Sequence, residues 1–318
     1  MGKYADKMGQ CELKTAFLFP GQASQKVGMG KDLFESSKLA KKYFKTANEI
    51  MGFDFSKIIF DGPKNELTKT IYTQPAIYLV SVILGKLLIN KGVLPVCCAG
   101  HSLGEYSAFT IAGAFDFQSG FELVKLRAES MQLASEKRGG TMAAVLGLND
   151  DKVNEICNNY NEGTVVVANY NCNGQVVISG DINSIKSILE PLKNAGAIKV
   201  IKLNVGGAFH SPLMSPAKKA LSNKLKDTLI KDISIPVYAN FSSMPVMKSS
   251  EILISLVNQL DNPVYWHMSI KKMKNENIDT VIEVGPGKVL QALNRRIDSS
   301  LKIIGVESYN QIDEFNYA

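Results

Sequence analysis

Residues 93–112 read VLPVCCAGHSLGEYSAFTIA, with a serine placed between two glycines. The apolar run Val93–Ala99 predicts a buried strand, and Glu105–Ala112 predicts a helix. A strand that enters a Gly-x-Ser-x-Gly turn and leaves as a helix is typical of a nucleophile elbow, which exposes the serine hydroxyl. The alternative for Ser102 is a turn serine that caps the following helix. The flanking strand and helix favour the nucleophile.

Strand-like and helical patterns alternate on both sides of this turn. Thr15–Phe19 predicts a buried strand that ends at a Pro-Gly turn, and Gln74–Asn90 predicts a mostly buried helix. Asp116–Arg138 has the pattern of a long amphipathic helix, and Thr280–Val284 that of another buried strand. Such alternation predicts an α/β fold with a mainly parallel sheet covered by helices on both faces.

A different rhythm occupies residues 139–204. It runs strand, helix, strand, strand, helix, strand over Thr141–Leu148, Asp150–Tyr160, Thr164–Asn169, Gln175–Ser179, Ile182–Ala195 and Ile198–Leu203. This order is the ferredoxin-like pattern, so we predict a small insert subdomain. The α/β rhythm then resumes, and we predict that residues 15–138 and 205–318 together form the large subdomain.

Composition predicts a folded, soluble protein. The 318 residues are 45% hydrophobic, and the formal net charge is +6. That charge favours an acidic partner, but no segment has the pattern of a nucleic-acid-binding module. The longest apolar run, Ala76–Ile89, is too short to span a bilayer, so we expect no membrane partner. Residues 1–14 are polar, are expected to be loosely held, and contain no signal peptide.

The cysteines indicate neither a metal site nor a disulfide framework. The chain has no CxxC pair and no Cys/His spacing suited to zinc among Cys11, Cys97, Cys98, Cys157 and Cys172. Cys97 and Cys98 lie in an apolar run and are expected to be packed thiols. An odd number of unpaired cysteines fits a reducing compartment.

A nucleophilic serine needs a base, and the chain contains three histidines. We predict His210, which lies in a loop after a predicted strand and follows the serine in chain order, as in α/β hydrolases. His101 is expected to line the pocket, because successive side chains diverge at an elbow. His267 is expected to be packed or at the surface. No aspartate stands out as an orienting acid, so we expect a main-chain carbonyl to orient the imidazole.

Further motifs extend the pattern over most of the chain. They are FPGQASQ at 19–25, TQPA at 73–76, GHSLGE at 100–105, RAESMQ at 127–132, GAFHSPLM at 207–214 and EVGPG at 283–287. With these motifs the chain, from about residue 15 to about residue 306, resembles the malonyl-CoA:acyl carrier protein transacylases of type II fatty acid synthesis. Jointly the motifs are highly specific, although each alone is weak. The resemblance implies a hydrolase-like core that carries a small ferredoxin-like insert.

The resemblance implies a ping-pong acyl transfer. Ser102 would attack the malonyl thioester, and the phosphopantetheine thiol of acyl carrier protein would then take the malonyl group from the serine. His210 would accept the serine proton and return one to the departing thiolate. The N–H of Leu103, which follows the serine, is a predicted oxyanion donor, and the resemblance implies the N–H of Gln22 as the second.

The resemblance also implies how the malonyl group is recognised. Arg127 matches the residue that pairs with the malonyl carboxylate, a role that suits a forked, permanently charged guanidinium. The residues alone allow equally a surface arginine on an amphipathic helix. Met131, one turn later, is implied to line the same pocket, with ordinary core packing as the alternative. Further lining residues are implied at His101, Asn169, Asn171 and Gln74, the last of which is equally compatible with helix capping.

Two more positions receive specific roles from the resemblance. A main-chain carbonyl near residues 262–266 is implied to face the imidazole, and we assign it to Tyr265, where family members often have glutamine. Phe209, directly before the predicted base, resembles the malonyl-selective version of its loop. Its ring is expected to leave no room for an α-methyl group.

The implied substrates are malonyl-CoA and acyl carrier protein, with no cofactor and no metal. We expect a monomer without nucleic-acid or membrane partners. The expected location is the bacterial cytoplasm or a plastid-type organelle, such as an apicoplast, after removal of a leader. A lysine-rich rim that includes Lys186 and Lys193 is a candidate docking surface for the acidic carrier protein.

Three alternatives differ in what happens to the acyl group. An α/β-hydrolase-type esterase or thioesterase shares Ser102 and His210 but releases the acyl group to water, and it explains neither Arg127 nor the Pro-Gly-Gln turn. A non-catalytic subunit that docks coenzyme A or carrier protein would need none of these side chains. An acyltransferase domain of a polyketide synthase would be expected to carry long flanking linkers.

Overall fold

The structure is a computed structural model, and it describes residues 14–315. In this range the strands are β1 (Thr15–Phe19), β2 (Cys97–Gly100), β3 (Thr141–Leu146), β4 (Val165–Cys172), β5 (Gln175–Gly180), β6 (Lys199–Lys202), β7 (Val237–Tyr238), β8 (Pro245–Val246), β9 (Thr280–Val284) and β10 (Lys302–Val306). The helices are α1 (Lys31–Ser36), α2 (Lys38–Met51), α3 (Phe55–Asp61), α4 (Lys64–Leu67), α5 (Thr70–Asn90), α6 (Gly104–Ala112), α7 (Phe117–Arg138), α8 (Asp150–Asn158), α9 (Ile182–Asn194), α10 (Ser215–Lys226), α11 (Ser249–Gln259), α12 (Trp266–Asn275), α13 (Val289–Ile297) and α14 (Tyr309–Asp313). The predictions for Cys11 and the first thirteen residues lie outside the described residues.

The larger sheet has the strand order β10-β9-β1-β2-β7-β8. Its neighbours are parallel except for β8, which runs antiparallel to β7. The predicted α/β fold with a mainly parallel sheet is therefore confirmed. Phe19 pairs with Gly100, so the segments that follow β1 and β2 leave the sheet side by side. The carboxyl edge of such a sheet is where ligands bind in open α/β folds.

Burial on both faces explains why β1 is apolar from Ala16 to Phe19. Phe17 and Phe19 belong to a core that also contains residues of α5, α6 and α7. Ala16 and Leu18, which alternate with them, belong to a second core with residues of α12 and α13. Because successive side chains of a strand point to opposite faces, a doubly covered strand has no polar side.

The start of β2 differs from the prediction. The strand begins at Cys97 rather than Val93, although Val96 N already donates to Thr15 O at 2.9 Å. Pro95 has no N–H to contribute to a ladder, and Leu94 is 62% exposed. The apolar run is therefore longer than the strand.

Within the described residues, α5 is the one helix long and apolar enough to cross a membrane. However, 78% of its apolar window is buried inside the protein. Its side chains from Ala76 to Leu84 are fully or almost fully buried, next to α6 and α7. Its composition is that of a core helix.

The smaller sheet is antiparallel and has the order β4-β5-β3-β6. Its strands lie between Thr141 and Lys202, and α8 and α9 pack against it through apolar residues such as Val153 and Ile185. These residues form a separate core, as expected for a unit with its own hydrophobic interior.

A short backbone junction joins the smaller sheet to the larger unit. Tyr170 N donates to Val264 O, and Val264 N donates to Ala168 O, each at 2.9 Å. This pairing continues β4 into the segment before α12. It brings Asn169 and Asn171 to the cleft between the two sheets.

Candidate active site

The serine turn between β2 and α6 accepts no side chain at either flanking glycine. A Cβ on Gly100 would lie 1.9 Å from the carbonyl carbon of Gly104, and one on Gly104 would lie 2.0 Å from Phe19 O. Ser102 itself has a left-handed φ of +52°. The Gly-x-Ser-x-Gly spacing is therefore a packing requirement, and the strained turn presents the hydroxyl at the carboxyl edge of the sheet.

His210 reaches this hydroxyl from the loop after β6. Its Nε2 lies 2.8 Å from Ser102 Oγ, and its Nδ1 lies 2.9 Å from Gln259 O and 3.2 Å from Asn262 O. Carbonyl oxygens only accept, so Nδ1 carries the proton and the neutral ring presents its Nε2 lone pair to the serine. Burial, assisted by the charge of Arg127, lowers the pKa of His210 to about 3. The imidazole is therefore neutral near pH 7.

The prediction that Tyr265 O orients the imidazole is wrong. That carbonyl accepts from Ser269 N and Ser269 Oγ in the first turn of α12. The carbonyl of Gln259 is available instead because it lies at the end of α11, where carbonyls lose their intrahelical partners. Four residues later stands Pro263, which has no N–H to offer it.

Arg127 lies beneath the serine and is 0% exposed, so the surface-arginine alternative is wrong. Its Nη2 is 3.1 Å from Ser102 Oγ and 2.9 Å from Gln259 Oε1, and its Nη1 is 2.6 Å from Gln74 Oε1. The guanidinium carbon lies 5.6 Å from the centre of the Tyr106 ring. Because a guanidinium stays charged when buried, a fixed positive charge stands beside the nucleophile.

Gln74 and Met131 form a buried layer next to this arginine. Gln74 Nε2 lies 3.1 Å from Gln22 Oε1 and 3.3 Å from Met131 Sδ. The capping alternative for Gln74 is wrong, because α5 begins four residues earlier, at Thr70. The layer connects the arginine to the turn that follows β1.

The two predicted oxyanion donors flank the serine. Leu103 stands at the start of α6, and Gln22 lies in the turn after β1 and lines the cleft. Among the described residues, neither backbone N–H donates to a protein acceptor. Ser102 N, by contrast, donates to Asn240 Oδ1 at 2.7 Å. Two N–H groups without protein acceptors beside a nucleophile match the requirement for an oxyanion hole.

A cleft of about 320 Å³ opens onto Ser102 and His210. Five predicted site residues contribute to its wall: Gln22, His101, Phe209, Asn169 and Asn171. Apolar side chains of the smaller sheet and of α13 complete the wall, among them Met142, Val177, Leu290 and Leu293. Five other predicted site residues are not part of the wall: Arg127, Met131, Gln74, Leu103 and Tyr265.

His101 is held as part of this wall. Its Nε2 lies 2.8 Å from Asn171 Oδ1, and its ring centre lies 5.5 Å from that of Trp266. Through the contact with Asn171, His101 joins the elbow to the smaller sheet. Burial lowers the pKa of the His101 imidazole.

The model of the acyl transferase domain matches residues 16–312 of the chain. The chain belongs to this acyl transferase family. Over 302 residues, the acyl transferase is 40% identical to the malonyl CoA-acyl carrier protein transacylase of Bacillus subtilis, covering 94% of this chain and 95% of the relative. The Haemophilus influenzae protein of the same name is 39% identical, with 95% and 99% covered. The resemblance found in the motifs is thus confirmed.

Solved structures of related proteins have the same fold. An acyl carrier protein S-malonyltransferase from Vibrio cholerae superposes with a TM-score of 0.91 at 36% identity, covering 94% of the acyl transferase and 99% of that chain. A malonyl transacylase in complex with its type II PKS acyl carrier protein, AntF, superposes with a TM-score of 0.91 at 33% identity, covering 94% and 98%.

Three polar residues that the sequence analysis did not single out support the elbow of the acyl transferase: Asn240, Gln259 and Glu105. Asn240 Nδ2 donates to Gly100 O at 2.6 Å, and Gln259 Nε2 donates to Ser102 O at 2.8 Å. Glu105 accepts hydrogen bonds from both of the other two. Only Glu105 had a signal in the sequence, as the last residue of the GHSLGE motif.

The third histidine stands apart from the serine. His267 is 7% exposed, and its Nδ1 lies 3.2 Å from Tyr170 O in the junction to the smaller sheet. It is a packed residue, one of the two predicted outcomes. Among residues 14–315, no group of three or more His, Cys, Asp or Glu side chains is arranged to hold a metal ion.

Proposed function

We propose that this acyl transferase moves the malonyl group of malonyl-CoA to the phosphopantetheine thiol of acyl carrier protein and so supplies fatty acid chain elongation. One observation carries the proposal. Ser102 Oγ lies within hydrogen-bond distance of His210 Nε2 on one side and of the buried Arg127 Nη2 on the other. A nucleophile, a base and a cation suited to a free carboxylate therefore meet at one oxygen. The names of the relatives agree with this function.

In the first half-reaction, Ser102 Oγ attacks the thioester carbonyl while His210 Nε2 takes its proton. The carbonyl oxygen becomes an oxyanion, which the N–H groups of Leu103 and Gln22 stabilise. The carbonyl re-forms, the C–S bond breaks, and coenzyme A leaves as a thiol with the proton from the imidazolium. The carbonyls of Gln259 and Asn262 stabilise that imidazolium while it exists.

In the second half-reaction, the phosphopantetheine thiol gives its proton to His210 and attacks the malonyl ester. The ester C–O bond breaks, and Ser102 recovers its proton from the imidazolium. The product is malonyl carrier protein, and the enzyme returns to its starting state. Coenzyme A thioester and phosphopantetheine are substrates in this scheme, which requires no cofactor from the protein.

Arg127 and Phe209 supply selectivity in this proposal. A malonyl group on Ser102 carries its free carboxylate one methylene beyond the ester carbonyl, within reach of the guanidinium beneath the serine. Acetyl has no such group, so the charged pair favours malonyl alone. Phe209 lines the cleft and is 6% exposed. We propose that its ring leaves no room for an α-methyl substituent.

The finer organisation of the fold is also part of the proposal. We propose a hydrolase-like core formed by residues 15–138 and 205–318, with a ferredoxin-like insert at 139–204. The order β3-α8-β4-β5-α9-β6 along the chain and β4-β5-β3-β6 across the small sheet supports the insert. The bacterial relatives favour a soluble cytoplasmic enzyme, and a plastid location after removal of a leader stays a prediction, as does the monomeric state.

Intact-mass measurement after mixing with malonyl-CoA tests the function. We expect a single malonyl adduct on the wild type and none on Ser102→Ala. Addition of holo acyl carrier protein should remove the adduct and produce malonyl carrier protein. Release of malonate without malonyl carrier protein would establish the thioesterase alternative, and absence of any adduct would indicate the non-catalytic one.

A further inference from the structure

We infer that Glu105 is a positioning residue for acyl selection: through Gln259 it holds Arg127 in place and so favours malonyl over acyl groups without a free carboxylate. The inference rests on the proposed function, in which Arg127 binds the malonyl carboxylate. It assigns a purpose to a buried acid that the transfer steps themselves do not use.

Glu105 is 0% exposed and is the second residue of α6. Its Oε1 accepts from Asn240 N at 2.9 Å, and its Oε2 accepts from Gln259 Nε2. Both partners are donors, and each oxygen receives one. A residue at this position must therefore accept at two points. An ionised carboxylate does so with both oxygens, whereas an amide has one acceptor oxygen and a carboxylic acid adds an O–H donor that also needs a partner.

The contacts with the carboxylate and with Ser102 O together fix which way the Gln259 amide faces. Its Nε2 donates to Glu105 and to Ser102 O, so its Oε1 is turned toward Arg127 Nη2, 2.9 Å away. The chain of contacts runs from carboxylate to amide to guanidinium. It gives the buried cation an oriented acceptor and, through the amide, a counter-charge.

Gln259 also touches the rest of the site. Its backbone carbonyl accepts from His210 Nδ1, while its side chain holds the serine carbonyl and the arginine. The carbonyl contact is fixed by the end of α11 and does not depend on the amide. Rotation of the amide would remove the acceptor of Arg127 and the donor to Ser102 O together, whereas the His210 contact would stay. Acetyl acylation reports the loss at the serine, and the malonyl-to-acetyl ratio reports the loss at Arg127.

E105Q tests the inference, because it preserves shape but leaves one acceptor and one NH₂ group. The N–H of Asn240 belongs to the backbone and cannot turn, so the NH₂ group would face Gln259 Nε2. The Gln259 amide would then rotate and turn its own NH₂ group toward Arg127. We expect the malonyl-to-acetyl ratio of kcat/KM for acylation to fall by roughly tenfold or more, as for a lost hydrogen bond to a charged group.

The matched control is Glu129→Gln, which removes a negative charge from the solvent-exposed side of α7, where Glu129 pairs with Lys125. It should leave the ratio unchanged. Equal losses for malonyl and acetyl in E105Q would overturn the inference, because they would indicate general damage to the site. A rise in the ratio would also overturn it, because Glu105 would then act only as a charge that weakens Arg127.

The wild type offers a second test that does not depend on a folded variant. Burial raises the pKa of Glu105 to about 7. The ionisable groups that act on Glu105 are Arg127 from α7 and Tyr106 from α6, whereas Asn240 and Gln259 contribute dipoles. Above that pKa the carboxylate accepts twice, and below it an O–H group faces a donor.

The malonyl-to-acetyl ratio of kcat/KM for the wild type should therefore fall as pH is lowered through about 7. The same ratio for E105Q should not change with pH over this range. The malonyl carboxylate stays ionised here, since an unperturbed carboxyl has a pKa of about 4. A wild-type ratio that rises on acidification would overturn the inference. If the wild type forms a malonyl adduct but E105Q leaves the malonyl-to-acetyl ratio unchanged, the positioning role alone is rejected. If the wild type forms no adduct, the proposed function is rejected and the inference with it.

Discussion

Arg127 is the residue that selects the acyl group in the proposed transfer, because only a substrate with a free carboxylate needs a buried cation beside the nucleophile. Arg127→Ala should lower kcat/KM for malonyl acylation by roughly 100-fold, the loss expected for a forked, charge-assisted pair, and that for acetyl far less. Arg127→Lys should fall between, because lysine keeps the charge without the fork. Rates of adduct formation with the two thioesters measure this.

Acetyl acylation serves as the internal control, because it reports any damage to the serine and the imidazole. Arg138→Ala is the matched control variant: this arginine is exposed at the last turn of the same helix. It should change neither rate. Equal losses for the two acyl groups in Arg127→Ala would contradict the assigned role.

Sequence reasoning at the residue level succeeded where a side chain carries its own chemistry. Ser102, His210 and Arg127 each lie in a distinctive motif, and the structure brings the three together. The acceptor for the imidazole could not be found this way, because every residue has a carbonyl. Only the end of α11 distinguishes Gln259 O from Tyr265 O, and helix ends are the least predictable part of a helix.

At the level of elements, buried strands could be predicted from their apolar residues, whereas exposed edge strands and lysine-rich helices could not. The strands β1 and β9 follow from short segments dominated by apolar residues, since both faces of the sheet are covered. The edge strand β10 was not predicted, because its first four residues are exposed or half-buried and its apolar stretch Ile303–Val306 is short and interrupted by Gly305. Helix α10 was also missed, since its many lysines dilute the apolar positions Ala217, Leu221 and Leu225.

The elbow permits a prediction about an element rather than a side chain. Gly104→Ala would press a Cβ against the backbone of β1, at Phe19 O and Pro20 O, which cannot move aside. We expect a loss of more than about 3 kcal/mol in the free energy of unfolding, because the clash is with main chain. Urea unfolding, followed by fluorescence, measures it.

Gly92→Ala is the control for this prediction. Its φ is left-handed, at +89°, unlike that of Gly104, but nothing lies within 4 Å of the added Cβ. Only the conformational penalty of about 1–2 kcal/mol applies there. If both variants lost the same free energy, the close approach of β1 and α6 would not be what requires a glycine at position 104.

In the whole molecule, the larger unit supplies the chemistry of the cleft, and the smaller unit supplies part of its lining. The serine, the base and the arginine belong to the larger unit, whereas Asn169, Asn171 and Val177 reach the cleft from the smaller one. The motifs predicted the first set well. The lining from the smaller unit depends on the junction at Val264, which is made of backbone hydrogen bonds and leaves no trace in side-chain identity.

The charge of the whole molecule leads to a prediction about the carrier protein. The formal net charge is +6, and Lys186 and Lys193 lie exposed on α9 of the smaller unit. Lys193 is 3.5 Å from Glu190, a surface pair that contributes little to stability and leaves the lysine accessible. If these lysines attract the acidic carrier, its KM should rise severalfold between about 0.05 M and 0.5 M salt, because screening weakens the attraction.

Charge reversal separates carrier docking from the binding of coenzyme A, which is itself anionic. K186E/K193E should raise the KM for carrier protein and flatten its salt dependence, while the KM for malonyl-CoA stays unchanged. Lys45→Glu, on the exposed face of α2, is the control and should alter neither. A carrier KM that does not respond to salt would mean that the insert meets its partner by shape rather than by charge, and the docking surface would have to be sought among the apolar residues at the mouth of the cleft.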